Sequence, residues 1–186
     1  MKIIDELKES EETLILAHHN ADIDAVGASI GLYEYLDGKV DLAVPDTVSK
    51  GAKDLSKGYS FIKNPNLEKY DLVVVLDCPS LEQLQPVDIK PFKGSKILID
   101  HHSPGNLAEI IDIKKTNKNA KSASELVYEL LKDEWNFNKP ASKALICGIV
   151  ADTSHLKMAG SKQFLYISEL LEKSGIELLF NPSMES

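Results

Sequence analysis

Acidic side chains follow four apolar segments of the chain, and histidines accompany them in two of these places. The stretch "LAHHNADIDAVGA" places His18, Asp22 and Asp24 directly after an apolar run. "LVVVLD" ends at Asp77, "KILIDHH" ends in an Asp-His-His sequence, and "ALICGIVAD" ends at Asp152. Carboxylates and imidazoles bind divalent metal ions and transfer protons. The pattern therefore predicts metal-dependent or acid–base chemistry at the ends of these segments.

Charge repulsion determines what such a cluster needs. The four aspartates that would meet are Asp22, Asp24, Asp77 and Asp152. Without cations some of them would have to take up protons, because like charges a few ångströms apart repel strongly. Oxygen and imidazole ligands without thiolate favour Mn²⁺, Mg²⁺, Co²⁺ or Zn²⁺. Two such ions, about 3.5 to 4 Å apart, can hold the attacking and leaving oxygens of a phosphoryl displacement.

Short apolar runs separated by helical segments indicate an α/β fold with a parallel sheet. The predicted strands are residues 13–17, 40–44, 71–76, 96–99 and 109–113. Residues 24–36 have helical apolar spacing between the first two strands, which predicts a right-handed βαβ unit. Near-continuous apolar strands are typical of a parallel sheet covered on both faces. The acidic segments would then meet at the carboxyl ends of the strands, where such sheets bind ligands.

Three helices are predicted in the last third of the chain. Ser122 and Glu125 have the spacing of a capping box at the start of the first helix. Pro140 lies near the start of the second, and "SKQFLYISELLEKSG" forms the third and ends in a lysine and a glycine suited to a helix C-terminus. Residues 45–68, which are rich in glycine and proline, are predicted to form a loop with a short helix.

Composition narrows the class of protein. A chain of 186 residues with 43% hydrophobic and 27% charged residues fits one globular domain. No apolar stretch approaches the roughly 18 residues that span a bilayer, so we predict a cytoplasmic protein without membrane contact. A net charge of −8 argues against broad attraction to nucleic acid but permits a small anionic substrate. Cys78 and Cys147 are predicted to be small buried hydrophobic residues without a disulfide.

From residue 13 to residue 175, the order and spacing of these motifs resemble those of the DHH phosphoesterases, whose name is written here as Asp100-His101-His102. That superfamily includes nano-RNases that also act on 3′-phosphoadenosine 5′-phosphate, RecJ-type exonucleases, cyclic dinucleotide phosphodiesterases and manganese-dependent pyrophosphatases. The resemblance implies a doubly wound α/β domain over residues 1–175, with a mainly parallel sheet flanked by helices. It also implies two divalent metal ions, with Mn²⁺ expected first and Mg²⁺ or Co²⁺ as alternatives.

The same resemblance implies a role for each site residue. The ligands of one metal would be His18, Asp22 and Asp77, and those of the other would be Asp24, Asp77, His101 and Asp152. His102 resembles the family's substrate-facing histidine, which would stabilise charge on the phosphate or protonate the leaving oxygen. Asp100 would orient His101 or His102. Three positions depart from the family's first motif without removing a ligand: Ala21, Ile23 and Ala28.

Some of these residues also have ordinary structural interpretations. Asp24 could cap the helix that it begins. His19 has no matching role in the family and is interpreted as a loop residue, as is Asn20, which could alternatively touch a phosphate. The lysines within residues 50–63 and 114–121 could guide a nucleic-acid strand, but charge runs are more often solvated faces.

The sequence therefore predicts a metal-dependent phosphoesterase that hydrolyses short oligonucleotides or nucleotide phosphates with a metal-activated water. The alternatives are a manganese-dependent inorganic pyrophosphatase and a non-catalytic nucleotide-binding module. The expected partner is a small phosphorylated substrate or a short single-stranded oligonucleotide. Nucleotide-processing DHH enzymes usually carry a second, smaller domain, so residues 176–186 are expected to be a C-terminal tail or the start of a linker to such a domain. A homo-oligomer is the other expected assembly.

Overall fold

The computed structural model describes residues 2–175, and the predicted tail or linker at 176–186 lies outside them. Its centre is a six-stranded sheet in which every strand pair is parallel. The strands are β1 Thr13–Ala17, β2 Val40–Ala43, β3 Phe61–Ile62, β4 Leu72–Leu76, β5 Ser95–Asp100 and β6 Ile113–Thr116. The order β3-β2-β1-β4-β5-β6 confirms the predicted doubly wound α/β fold.

The direction of winding changes between β1 and β4. Thr13 pairs with Val40 of β2 on one side and with Leu72 of β4 on the other. Ligands of open α/β sheets bind in the crevice outside the carboxyl ends of the strands at this switch point. The ends of β1 and β4 at Ala17 and Leu76 therefore mark the expected position of a site.

Five α-helices pack against one face of the sheet. They are α1 Lys2–Glu9, α2 Ile23–Leu36, α3 Ala123–Leu131, α4 Lys139–Asp152 and α5 Ser161–Ser174. Buried residues from all five helices form a cluster with Ile15, Val74 and Ile97 of the sheet. None of these helices has the length and apolar character needed to cross a membrane.

Helices α2 and α4 approach each other closely, and this approach places their functional ends side by side. A Cβ at Gly27 of α2 would lie 2.5 Å from the Ala144 carbonyl oxygen, and a Cβ at Gly31 would lie 2.5 Å from a Leu145 methyl group. Such distances are shorter than carbon contacts allow. The neighbour of Gly27 is backbone, which cannot move aside, whereas the Leu145 side chain beside Gly31 can adjust. Glycine at position 27 therefore permits the close packing that brings the start of α2 near the end of α4.

The second face of the sheet is also covered, as predicted, but by short 3₁₀ helices and loops. Leu14, Val73 and Leu98 on this face pack with Leu84 and Leu107 of the covering segments. The 3₁₀ helices there span Leu67–Lys69, Leu81–Leu84 and Asn106–Ile110. Both faces are thus buried, which accounts for the continuous apolar runs in β1 and β4.

Two predictions about the elements were wrong. The strand predicted at residues 109–113 begins only at Ile113, because the preceding segment forms a 3₁₀ helix and Ile111 is buried against the second face. The region 45–68 was predicted to be loop and helix, but it also contains the edge strand β3 at Phe61–Ile62. Both strands lie at sheet edges and neither is fully buried, so neither carries a strong apolar pattern. Both cysteines are free, and Cys78 is buried while Cys147 is partly exposed.

Candidate metal centre

The polar segments meet at the carboxyl ends of β1, β4 and β5, together with the start of α2 and the end of α4. Their potential ligand atoms form three groups within which the atoms lie no more than 4.8 Å apart. The groups are His18 with Asp22 and Asp77, Asp24 with His101 and Asp152, and Asp77 with His101 and His102. The fold thus brings together all the residues that the family resemblance implies as ligands.

Asp77 lies between these groups. It follows β4 directly, is only 3% exposed and has a φ of 54°, in the left-handed region that aspartate tolerates better than most residues. Its Oδ1 is 3.3 Å from Nε2 of His101, and its Oδ2 is 3.8 Å from Nε2 of His18. Burial raises the pKa of Asp77, and the imidazoles of His101 and His102 oppose the rise only in part. Asp77 is therefore a buried carboxylate placed to serve both sides of the cluster.

Asp24 is fully buried near the N-terminus of α2 and points to another helix. Its Oδ2 accepts a hydrogen bond from the backbone N–H of Ala123 at 2.5 Å, and its Oδ1 accepts one from Ser124 at 2.9 Å. Burial, followed by repulsion from Asp77 and Asp152, raises the pKa of Asp24 well above its usual range. A cation placed among these three carboxylates would relieve that repulsion.

The alternative interpretation, that Asp24 caps its own helix, is wrong. Asp22 is the N-cap of α2, and its Oδ1 accepts the backbone N–H groups of Asp24 and Ala25 at 3.0 Å. This cap fixes the Asp22 side chain beside His18 and Asp77. The two aspartates therefore have different roles. Asp22 caps α2, whereas Asp24 accepts hydrogen bonds from the first turn of α3.

The two histidines of the Asp-His-His sequence have different partners. Nε2 of His101 lies 3.3 Å from carboxylate oxygens of both Asp77 and Asp152. Burial lowers the pKa of His101, but these acidic neighbours outweigh it and raise the pKa to about 11. Without a metal, the imidazolium supplies the positive charge that the carboxylates require.

His102 is oriented by Asp100. Its Nδ1 is 2.7 Å from Oδ1 of Asp100, which is 1% exposed and also accepts the backbone N–H of His102 at 3.2 Å. This hydrogen bond raises the pKa of His102. The side chain of His102 is 45% exposed, so the rest of its ring faces the solvent side of the cluster. Of the two histidines that the sequence left open for Asp100, the structure pairs it with His102.

The donor set fits divalent metal ions. Oδ1 of Asp77 and Nε2 of His101 are buried and have no hydrogen-bond partner among the described residues, which is costly unless another group satisfies them. The thiol of Cys78 instead contacts the Ser80 carbonyl oxygen at 3.3 Å, and burial raises its pKa to about 12. The remaining donors are carboxylates and imidazoles, which suit Mn²⁺, Mg²⁺ or Co²⁺.

His19 and Asn20 lie in the loop after β1, as predicted. The backbone N–H of His19 donates to the Gln83 carbonyl at 2.9 Å, and the backbone N–H of Asn20 donates to Asp46 at 2.7 Å. Both side chains are exposed, and Asn20 has a φ of 51°. The backbone of this loop therefore anchors the segment that carries His18 and Asp22.

The contribution of α3 to the site was not predicted from the sequence. The capping box predicted at Ser122 is present in part, since Ser122 accepts the backbone N–H of Glu125 at 3.0 Å. The capping-box spacing predicts where the first-turn amides of α3 lie, but not which carboxylate accepts hydrogen bonds from them. Asp24 lies 99 positions before Ala123, and only the packing of α2 against α3 brings them together.

The chain belongs to the DHH family, and its doubly wound fold and acidic cluster agree with this assignment. The family pattern described as "DHH family, N-terminal domain" matches residues 12–151. This match confirms the resemblance inferred from the motifs.

Three curated relatives are similar to the chain. It is 36% identical over 200 positions to an uncharacterized protein of Methanocaldococcus jannaschii, covering 100% of this chain and 59% of the relative. It is 25% identical to a probable manganese-dependent inorganic pyrophosphatase of Lactococcus lactis, covering 91% of this chain and 58% of the relative. It is also 25% identical to a probable bifunctional oligoribonuclease and PAP phosphatase NrnA of Streptococcus mutans, covering 91% of this chain and 55% of the relative.

A solved structure shares the fold. An exopolyphosphatase-related protein from Bacteroides fragilis superposes with a TM-score of 0.84 at 26% identity, covering 95% of this chain and 56% of that one. The chain thus spans between 55% and 59% of the length of the three curated relatives. The relatives named for an activity act on phosphate compounds, according to those names.

Proposed function

We propose that the chain is the metal-binding domain of a phosphoesterase that hydrolyses short oligonucleotides or nucleotide phosphates. The observation that carries the proposal is a cluster of carboxylates in which Oδ1 of Asp77 and Nε2 of His101 are buried, lie 3.3 Å apart as an ion pair and make no hydrogen bond among the described residues. A purely structural cluster would leave these atoms at a cost in stability. A divalent cation satisfies them and offsets the carboxylate charges.

Two metal ions are proposed, with Asp77 as the shared ligand. One ion would be held by His18, Asp22 and Asp77, and the other by Asp24, Asp77, His101 and Asp152. When bound, the ions supply a Lewis acid for the phosphoryl oxygens and lower the pKa of water. The Lactococcus lactis relative is named as manganese-dependent, which supports Mn²⁺ as the metal.

His102 is proposed as the residue that faces the substrate. Asp100 accepts a hydrogen bond from Nδ1–H of His102 and raises its pKa, which favours the doubly protonated ring, so Nε2–H remains available on the exposed side. From there it can donate its proton to the leaving oxygen as the phosphorus–oxygen bond breaks, or donate a hydrogen bond to a phosphoryl oxygen. Asp100 keeps the ring in the required orientation, which is a positioning role.

Nucleotide substrates are supported by the Streptococcus mutans relative, which is named as an oligoribonuclease and PAP phosphatase. Inorganic pyrophosphate is the second candidate, because the Lactococcus lactis relative is equally similar at 25% identity. The net charge of −8 favours a small anion met by metal ions over a long polymer held by a basic surface. A module that binds nucleotides without turnover has no chemical need for the complete ligand set. The longer chains of the relatives support a further substrate-binding region acting beside this domain.

The deciding experiment combines calorimetry with a turnover screen. The purified protein would be titrated with Mn²⁺ and then tested against dinucleotides, cyclic dinucleotides, 3′-phosphoadenosine 5′-phosphate and pyrophosphate. We expect two binding events and hydrolysis of a nucleotide substrate. Preferred turnover of pyrophosphate would favour the second candidate. Uptake of Mn²⁺ and nucleotide without hydrolysis of any substrate would overturn the enzymatic proposal.

A further inference from the structure

The carboxylate of Asp24 lies on the first turn of α3, where it accepts the first two helical backbone N–H groups. These donors are Ala123, at 2.5 Å from Oδ2, and Ser124, at 2.9 Å from Oδ1. The N-terminal N–H groups of a helix have no partner within the helix and carry partial positive charge. Two bonds from adjacent amides fix the plane of the carboxylate as well as its position.

Gly148 of α4 also packs directly against the Asp24 carboxylate. A Cβ at position 148 would lie 2.6 Å from Oδ1 of Asp24 and 2.0 Å from Oγ of Ser124. Both distances are far below van der Waals contact, so any side chain at position 148 displaces the Ser124 hydroxyl, the Asp24 carboxylate or both. Helices α2, α3 and α4 therefore meet at Asp24 without spare volume.

We propose that the first turn of α3 and the glycine at position 148 are positioning elements that aim the Asp24 carboxylate at a metal ion. This inference rests on the proposed function, because it assigns Asp24 to the metal shared with His101 and Asp152. Each carboxylate oxygen has two lone pairs, so an oxygen that accepts a backbone N–H can still bind a cation. The amides thus hold the ligand in place without occupying all of its capacity.

Capping α3 alone does not account for this arrangement. Ser122 is the N-cap of α3 and already accepts the backbone N–H of Glu125 at 3.0 Å. A neutral side chain could accept the remaining amides equally well, without placing a further carboxyl group beside His101 and Asp152. An acidic residue at this buried position therefore points to a cation, and the two amides of α3 fix the direction in which its carboxylate points.

The test isolates the contact between position 148 and Asp24. Gly148→Ala alone would also press on the side chain of Ser124, so it is made in a Ser124→Gly background that removes both Oγ and Cβ. Metal-free S124G and S124G/G148A proteins are titrated with MnCl₂ by calorimetry, beside the wild type. Gly31→Ala is the matched packing control, because its Cβ would crowd only the Leu145 side chain at the same helix pair. Circular dichroism and thermal unfolding establish that each protein is folded.

Relative to S124G, we expect S124G/G148A to keep one Mn²⁺ site and to bind the second ion about 10- to 100-fold more weakly, as when a group that orients a metal ligand is lost. G31A is expected to bind both ions as the wild type does. Equal affinities for both ions in S124G and S124G/G148A would overturn the positioning role while leaving the proposed metal centre intact. A wild-type protein that binds no Mn²⁺ would overturn the proposed function, and this inference with it.

Discussion

Nδ1 of His102 lies 2.7 Å from Oδ1 of Asp100, whereas the adjacent His101 contacts Asp77 and Asp152 instead. The two neighbouring imidazoles, whose ring centroids are 4.3 Å apart, both lie near Asp77, but the shortest contact of His102 is to Asp100 and His101 alone reaches Asp152. One ring is 15% exposed and faces the cluster, and the other is 45% exposed. This division predicts different consequences for the loss of each ring.

Replacing His102 with alanine should slow hydrolysis by about 10²-fold or more while both Mn²⁺ ions remain bound, because a proton donor is lost but no ligand is. His101→Ala should instead lose metal. Metal content by atomic emission and steady-state rates would be measured on the same preparations. Equal metal loss in both variants would show that the two roles are not divided in this way.

Asp100→Asn should lower the rate less than His102→Ala does, by about 10-fold, because the ring remains but its orienting charge is gone. Metal content should be unchanged. We expect the loss to appear mainly in kcat, since Asp100 is 1% exposed and does not face the substrate. A wild-type kcat in this variant would contradict the orienting role.

Asp77→Asn should weaken both metals and abolish detectable hydrolysis, because Asp77 is the only residue proposed to serve both ions. Asparagine has the same shape but no charge, so the fold should persist by circular dichroism. Calorimetric titration with Mn²⁺ would measure the affinities. Normal activity with two bound ions would remove Asp77 from the site.

Chelation should lower the thermal stability of the protein. The buried carboxylates of Asp24 and Asp77 repel one another without a cation, and a ligand present at 100 times its Kd stabilises the folded state by about 2.7 kcal/mol. For a chain of this size, that corresponds to a fall in Tm of about 5 to 10 °C on adding excess EDTA. Restoring Mn²⁺ should reverse the fall in a concentration-dependent way, and Mg²⁺ serves as the comparison. A Tm that responds to neither chelator nor metal would argue against a metal centre.

Glu125 should be important for stability although it is not a ligand. It is fully buried, and its Oε2 accepts the backbone N–H of Lys121 at 2.9 Å and Nε2 of Gln163 at 2.7 Å. Glu125→Ala leaves the buried Gln163 amide without this partner and should cost about 1 to 3 kcal/mol in the free energy of unfolding, measured with urea.

Glu125→Gln is the control for this prediction, because its amide oxygen still accepts a hydrogen bond, and it should lose less stability. An alanine variant within about 0.5 kcal/mol of the wild type would contradict the argument.

The sequence was sufficient to predict where the polar residues meet, because parallel strands all end at the same edge of a sheet. A carboxylate after β1, β4 or β5 must lie there whatever the details of packing. The partners of each carboxylate could not be predicted in the same way. The contact between Asp24 and Ala123 depends on how α2 and α3 pack, and no local sequence pattern predicts a contact between residues 99 positions apart.

The edge strands likewise could not be located accurately from the sequence. Apolar periodicity locates strands that are buried on both faces, such as β4, but β6 alternates partly buried and exposed residues. The apolar residues just before β6 instead support a 3₁₀ helix beneath the sheet. The apolar pattern therefore predicts β6 several residues too early.

The pairing of β1 with β4 has a consequence for how the protein is made. His18 and Asp22 are synthesised before β4, so β1 gains this neighbour only after Leu76, and α4 ends at Asp152. A nascent chain that stops before residue 148 lacks both the glycine and the last acid that border Asp24. The proposed centre with both ions therefore cannot form until Asp152 has been synthesised, and acquisition of the second metal ion must follow that point.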